Sequence, residues 1–174
     1  MVGTSRPHRW HDDAAAHLHP VVLGVVPDQP ASTVLQAAGL AAALGTGLVC
    51  VWVDGSRVVV AEQPDGALTT TPLDPDEDDD GRPPEAEQEV DRHLKSVLAD
   101  VRHPWLFVST VGETVRGLTA AAEQHDARRI AVGARRSGIA GWMNQLVGGS
   151  VAGRLAHTQG RPVVVLPHPP RGSA

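Results

Sequence analysis

Apolar positions along the chain fall into short unbroken runs separated by stretches with helical spacing. Val21, Val22, Leu23, Gly24, Val25 and Val26 form the first run, and the lack of polar alternation is that of a strand buried on both faces of a parallel sheet. Turn residues Pro27, Asp28, Gln29 and Pro30 lead to Ser32, which predicts an N-cap. Val34, Leu35, Ala38, Ala41 and Ala42 then keep to one helix face until Gly45 and Gly47 stop it. A second strand is predicted over Leu48 to Val53. Val90, Leu94, Val97, Leu98 and Val101 recur at i, i+4, i+7, i+8 and i+11 and specify an amphipathic helix from about Glu85 to Asp100. Trp105 to Val111 reads as a third strand, Val115, Leu118, Thr119 and Ala122 as a helix ending near His125, and Arg129 to Val132 as a fourth strand running into Gly133. A glycine-rich loop, a helix from about Gly149 to Thr158 and a strand from Pro162 to Leu166 complete the pattern. Strands alternating with helices predict an α/β fold, a Rossmann-like, right-handed, doubly wound parallel sheet of five strands with helices on both faces.

Three segments break this alternation. Residues 1–19 are polar, carry His8, His11, His17 and His19 and show no sustained apolar period, which predicts a disordered leader. Flexible histidines without a scaffold hold no fixed metal geometry. After the second strand, Val58 to Val60 and Leu68 to Thr71 flank Pro64, Asp65 and Gly66, a hairpin signal that predicts an insertion at one sheet edge. Six acids then fall between Asp74 and Asp80, beside Pro72, Pro75, Pro83 and Pro84. Self-repulsion and proline keep such a run extended, and it lacks the glycine and downstream glutamate of an EF-hand loop. The domain is therefore placed at 20–168, with the insertion and acidic loop at about 55–84 and a tail at 169–174.

At 174 residues the chain suits one domain. Fifteen Lys and Arg against twenty Asp and Glu give a net charge of −5, which argues against nucleic acid and anionic membrane as partners. Aromatic residues are 3% of the chain, so the core must be built from Val, Leu, Ile and Ala. The single cysteine, Cys50, excludes an intramolecular disulfide framework and a zinc site of several thiolates, and fits a reducing compartment. No stretch approaches the ~20 apolar residues of a membrane span, and the start lacks the apolar region of a signal peptide. The expected location is the cytoplasm.

Candidate chemistry concentrates between Gly133 and Pro167. Glycines let a backbone approach a ligand, and the first turn of the helix opening at Ser150 offers N–H groups at the positive end of its dipole, so the pair suits phosphate oxygens. In doubly wound sheets such loops lie at the carboxyl ends of strands, where the turn after Val26 faces the same crevice. Arg135 and Arg136 offer charge-assisted contacts. The plainer reading, equally open on residues alone, is that Gly148, Gly149 and Ser150 form a turn and N-cap with solvated arginines. Lys95, the only lysine, lies mid-helix, which excludes a P-loop, and Val25, Val26, Pro27 and Asp28 stand where a dinucleotide fingerprint needs glycines. Gly148 to Ala152 approaches a hydrolase elbow, but His157 lies roughly 10 Å along the same helix, too far to activate Ser150. Ser150 is better read as an N-cap. Trp142 either packs the loop down or forms an exposed contact.

The segments VVLGVVPDQPAS, LVCVWVD, RRIAVGARR and above all GGSVAGRLAHTQGRPVVVLP resemble the single-domain universal stress proteins, over roughly Pro20 to Pro167. The resemblance implies five parallel strands in the order 3-2-1-4-5 and dimerisation through the last strand, Val163, Val164, Val165 and Leu166. ATP-binding members carry Gly-x2-Gly-x9-Gly-Ser/Thr around the phosphates and ribose. Here Gly133 and Gly149-Ser150 match its ends, sixteen residues apart where the pattern has thirteen, Arg136 holds the second glycine position, and Gly138 is the nearest substitute. Relatives place an aspartate after the first strand against adenine; the aligned residue is Val26, with Asp28 two positions on, either in that role or in a turn. The implied ATP contacts are Val26, Pro27 and Asp28, then Val53 near the base, then Val132, Gly133, Arg135, Arg136 and Gly138, and finally Gly149, Ser150 and Val151.

Three functions compete. The first is a dimeric stress-response regulator that binds ATP, with Mg2+, without efficient turnover. The second is a dimeric interaction module without nucleotide, favoured by Arg136 and Val26 and by an edge strand able to pair with a twin. The third, an adenylate-forming or phosphoryl-transfer enzyme, needs acidic metal ligands in the loop after the first strand or at Gly133, where Asp28 alone is available.

Overall fold

The computed structural model describes residues 5–8, 10, 18–62, 68–72, 84–134 and 150–167. Its strands are β1 (Ser5–His8), β2 (Val21–Val25), β3 (Leu48–Asp54), β4 (Arg57–Glu62), β5 (Leu68–Pro72), β6 (Trp105–Val111), β7 (Arg129–Gly133) and β8 (Val163–Leu166). Its helices are α1 (Ala31–Ala43), α2 (Glu85–Val97), α3 (Thr114–Gln124) and α4 (Val151–Thr158). The main sheet runs β1-β6-β3-β2-β7-β8, parallel throughout except for β1, which pairs antiparallel with β6. Its five parallel strands stand in the expected order, 3-2-1-4-5.

Side chains alternate across each strand, and both faces are apolar because both are covered. Val21, Leu23, Leu48, Cys50 and Phe107 face α1 and α2, whose Val34, Ala37, Ala41, Val90 and Leu94 close one core layer. Val22, Val49, Val51, Leu106 and Val108 face the other way, onto Val115, Leu118, Ala121 and Ala122 of α3 and Leu155 of α4. Small helix residues let the helices lie close, as the aromatic-poor composition requires.

Several expectations are corrected. The leader is not wholly disordered: Ser5–His8 forms β1, Trp10 is buried in the α3 layer with its ring edge-on to His125, and His19 Nδ1 lies 2.9 Å from Asp126 Oδ2. Backbone pairing places Ser5–His8 and an aromatic contact places Trp10 without any apolar period. α1 begins two residues early, with Pro30 as N-cap and no side-chain cap, so Ser32 lies inside the first turn. The fixed φ of Pro30, −59°, sets that start. β4 and β5 pair antiparallel, as the hairpin signal predicts, and form a two-stranded sheet of their own. The acidic run, the hairpin tip and the tail lie outside the described residues.

Candidate functional site

The chain winds outward from β2 through β3 to β6 and then returns to β7 and β8 on the other side. The connections at the carboxyl ends of β2 and β7 therefore diverge and leave a crevice between them. A cavity of about 590 Å³ opens there. Val25, Val26, Val51, Val53, Leu118 and Val132 make one wall apolar, and Asp28, Gln29, Thr114 and Ser150 supply polar groups. Such a combination suits a ligand with a flat apolar part and a polar end.

Each polar group owes its place to local chain chemistry. The Gln29 N–H donates to the Val26 carbonyl at 3.1 Å, closing a turn that carries Asp28 at its exposed corner. Gln29 itself is folded inward and is 6% exposed. Its Nε2 has no hydrogen-bond acceptor among the described residues, a state that costs about 1–3 kcal/mol for a buried amide. A Cβ at Gly133 would stand 2.8 Å from that nitrogen, so the glycine ending β7 makes room for the amide. Ser150 Oγ accepts from the Gly153 N–H at 3.0 Å and caps α4. That hydroxyl is thus occupied in the N-cap role.

At the rim, Glu113 caps α3, accepting from the N–H groups of Val115 and Arg116 at 3.1 and 3.0 Å. Its Oε1 also lies 2.9 Å from Arg154 Nη2 on α4. Partial burial works against the charge, but the two N–H donors and the guanidinium outweigh it and hold the carboxyl below its ordinary range. This bridge ties the two helices that flank the crevice.

Solved structures share this fold. A universal stress protein from Archaeoglobus fulgidus superposes with a TM-score of 0.55 at 20% identity, over 84% of this chain and 91% of its own. The fold is that of the universal stress proteins. A universal stress protein in complex with cAMP gives a TM-score of 0.56 at 19% identity, over 85% of this chain and 95% of its own. A further universal stress protein from Archaeoglobus fulgidus gives 0.53 at 15% identity, over 88% of this chain and 46% of its own. No family model and no curated protein matches the sequence.

Within this universal stress protein fold, Val26, Asp28, Val53, Val132, Gly133, Ser150 and Val151 surround the cavity described above, and Pro27 stays out of its wall. Arg135, Arg136, Gly138, Gly149 and Trp142 lie outside the described residues. Val26 is half exposed at the crevice mouth, and its side chain offers a ligand no hydrogen bond. Sequence reasoning missed Gln29, Thr114 and Leu118. The last two carried a signal, since α3 follows a strand end on the crevice side, whereas an isolated glutamine in a turn carries none. Among the described residues no three His, Cys, Asp or Glu side chains gather as metal ligands, and no helix is long and apolar enough to cross a membrane.

Proposed function

We propose that the chain is a cytoplasmic universal stress protein that binds an adenine nucleotide, ATP foremost, in this crevice and acts as a dimeric regulator without efficient turnover. The observation that carries the reading is the cavity at the strand switch point, where an apolar wall for a base stands beside Gly133 and the Ser150-capped helix start. That one fold neighbour is a complex with cAMP supports a nucleotide as the ligand class. Among the described wall residues Asp28 is the carboxylate, so a Mg2+ would ride chiefly on the phosphates. Dimerisation is assigned to β8, which ends the sheet and leaves Val165 52% exposed.

Calorimetric titration of ATP and AMP, with magnesium, into nucleotide-free protein tests the reading. Micromolar binding is expected, weakened at least tenfold by Ser150→Asp, which keeps the cap but adds a charge facing the phosphates. Sedimentation of Val165→Lys is expected to show a monomer where the unaltered protein is a dimer. A folded dimer that binds neither nucleotide would sink the regulator and leave the interaction module.

A further inference from the structure

We infer that the Gln29 carboxamide is a binding group for the ligand's phosphoryl end, donating through Nε2 to a phosphoryl oxygen above Gly133. The inference rests on the nucleotide reading above and adds the residue that selects a phosphorylated ligand over the bare nucleoside. Three observations carry it. Gln29 is 6% exposed, lines the cavity, and has no acceptor for Nε2 among the described residues. A donor buried in this way is favoured when a ligand supplies the acceptor. The turn and the glycine together give it its place: the Gln29 N–H donates to the Val26 carbonyl at 3.1 Å, and the amide packs over Gly133, where an added Cβ would stand 2.8 Å from Nε2.

The surroundings select the acceptor's charge. Pro30, the N-cap of α1, Ser150, the N-cap of α4, and Thr114, the first residue of α3, line the same cavity, so three helix N-termini border it. The α1 and α4 caps bring no negative charge, and the Glu113 carboxylate that caps α3 at the rim is paired with Arg154. Asp28 is the opposing charge in the wall, and it sits at the exposed corner of the turn while the amide faces inward. An anionic oxygen placed by Gln29 therefore meets donors and positive dipole ends on the Gly133 side. A glutamine that merely filled the space above Gly133 would not need a donor there; a methionine of similar length would fill it as well.

The test is titration of AMP and of adenosine into the full-length protein, its Gln29→Met variant and its Gln29→Glu variant, with thermal melting of each ligand-free protein. The expected result is an unaltered or raised melting temperature for Gln29→Met, AMP binding weakened at least tenfold, and adenosine binding within twofold of the original. Gln29→Glu, which replaces the donor by a charged acceptor, is expected to weaken AMP further and serves alone should the methionine variant fail to fold. AMP binding by Gln29→Met as tight as before, or equal losses for AMP and adenosine, would overturn the inference and leave the nucleotide reading intact. An unaltered protein that binds neither ligand would overturn both.

Discussion

Gly117→Ala sets two effects of opposite sign against each other. Gly117 lies inside α3 and is buried against the sheet. Replacing a helix-interior glycine by alanine gains about 1 kcal/mol of intrinsic helix propensity. Here, however, the new Cβ would stand 2.8 and 3.0 Å from the two methyls of Val53 and 3.1 Å from Thr110 Cγ2. Both neighbours are β-branched and stiff at χ1, and Thr110 is itself buried, so neither can rotate away cheaply. Overpacking of this kind costs about 1–3 kcal/mol, and with two short contacts on stiff partners the upper half of that range applies. The net expectation is a loss of about 1–2 kcal/mol, a fall in Tm of roughly 2–8 °C at this chain length. Urea unfolding should show a lower midpoint at unchanged slope. Gly39→Ala is the matched control: the site lies on the exposed face of α1, a Cβ there meets nothing within 4 Å, and a gain of about 0.5–1 kcal/mol is expected. A Gly117→Ala protein as stable as the original, or shifted in the same direction as Gly39→Ala, would refute the packing argument.

Trp10→Ala is expected to lose about 3 kcal/mol or more, because the indole is 4% exposed and packed in the α3 layer; an unchanged urea midpoint would mean that the leader contributes nothing. Glu113→Gln is expected to lose about 1 kcal/mol at pH 7 through a weaker cap and the lost Arg154 bridge. Since the carboxyl is held below its ordinary value, its contribution is complete above about pH 4.3 and fades as pH falls through the folded-state value. Urea midpoints of the two proteins should therefore converge in acid, and a constant gap would contradict the assignment. Cys50 is fully buried and its thiol is pushed far up by that burial, so an aromatic disulfide reagent at neutral pH should label it only at the rate of unfolding.

The parallel sheet was legible because its strands need both faces apolar: Val21 to Val25 and Leu48 to Val53 allow little else. Gly133 and Ser150 line the crevice because one ends a strand and the other opens a helix at the same edge of the sheet, although on residues alone a plain turn and N-cap was an equal reading. β1 was hidden because an edge strand is held by backbone hydrogen bonds, and Ser5–His8 needs no apolar alternation to make them. Trp10 was hidden because a lone aromatic in a polar stretch reads as exposed until a groove is found for it. The start of α1 was misplaced because a capping serine outweighs a proline in sequence statistics, while Pro30 already has the dihedral that the helix entry needs. Gln29 was invisible for a deeper reason. Its role depends on Gly133, over a hundred residues away, and no local pattern couples the two.

That coupling also explains the width of the crevice. Val53 of β3 and Gln29 of the turn after β2 both line it, and each leans against a glycine: Val53 against Gly117 of α3, behind the wall, and Gln29 against Gly133 of β7, within it. Two missing side chains therefore hold the cavity open, one by letting an apolar wall retreat and the other by letting an amide lie flat. The two glycines differ in what surrounds them. At Gly117 a methyl meets branched side chains packed in a core, so the strain stays in the protein and appears as lost stability. At Gly133 a methyl meets the free end of a long side chain with no hydrogen bond to lose, so the amide swings aside at little cost and the change falls on the ligand. Stability and binding are thus governed by separate contacts in one wall, and a substitution at either glycine disturbs mainly one of them.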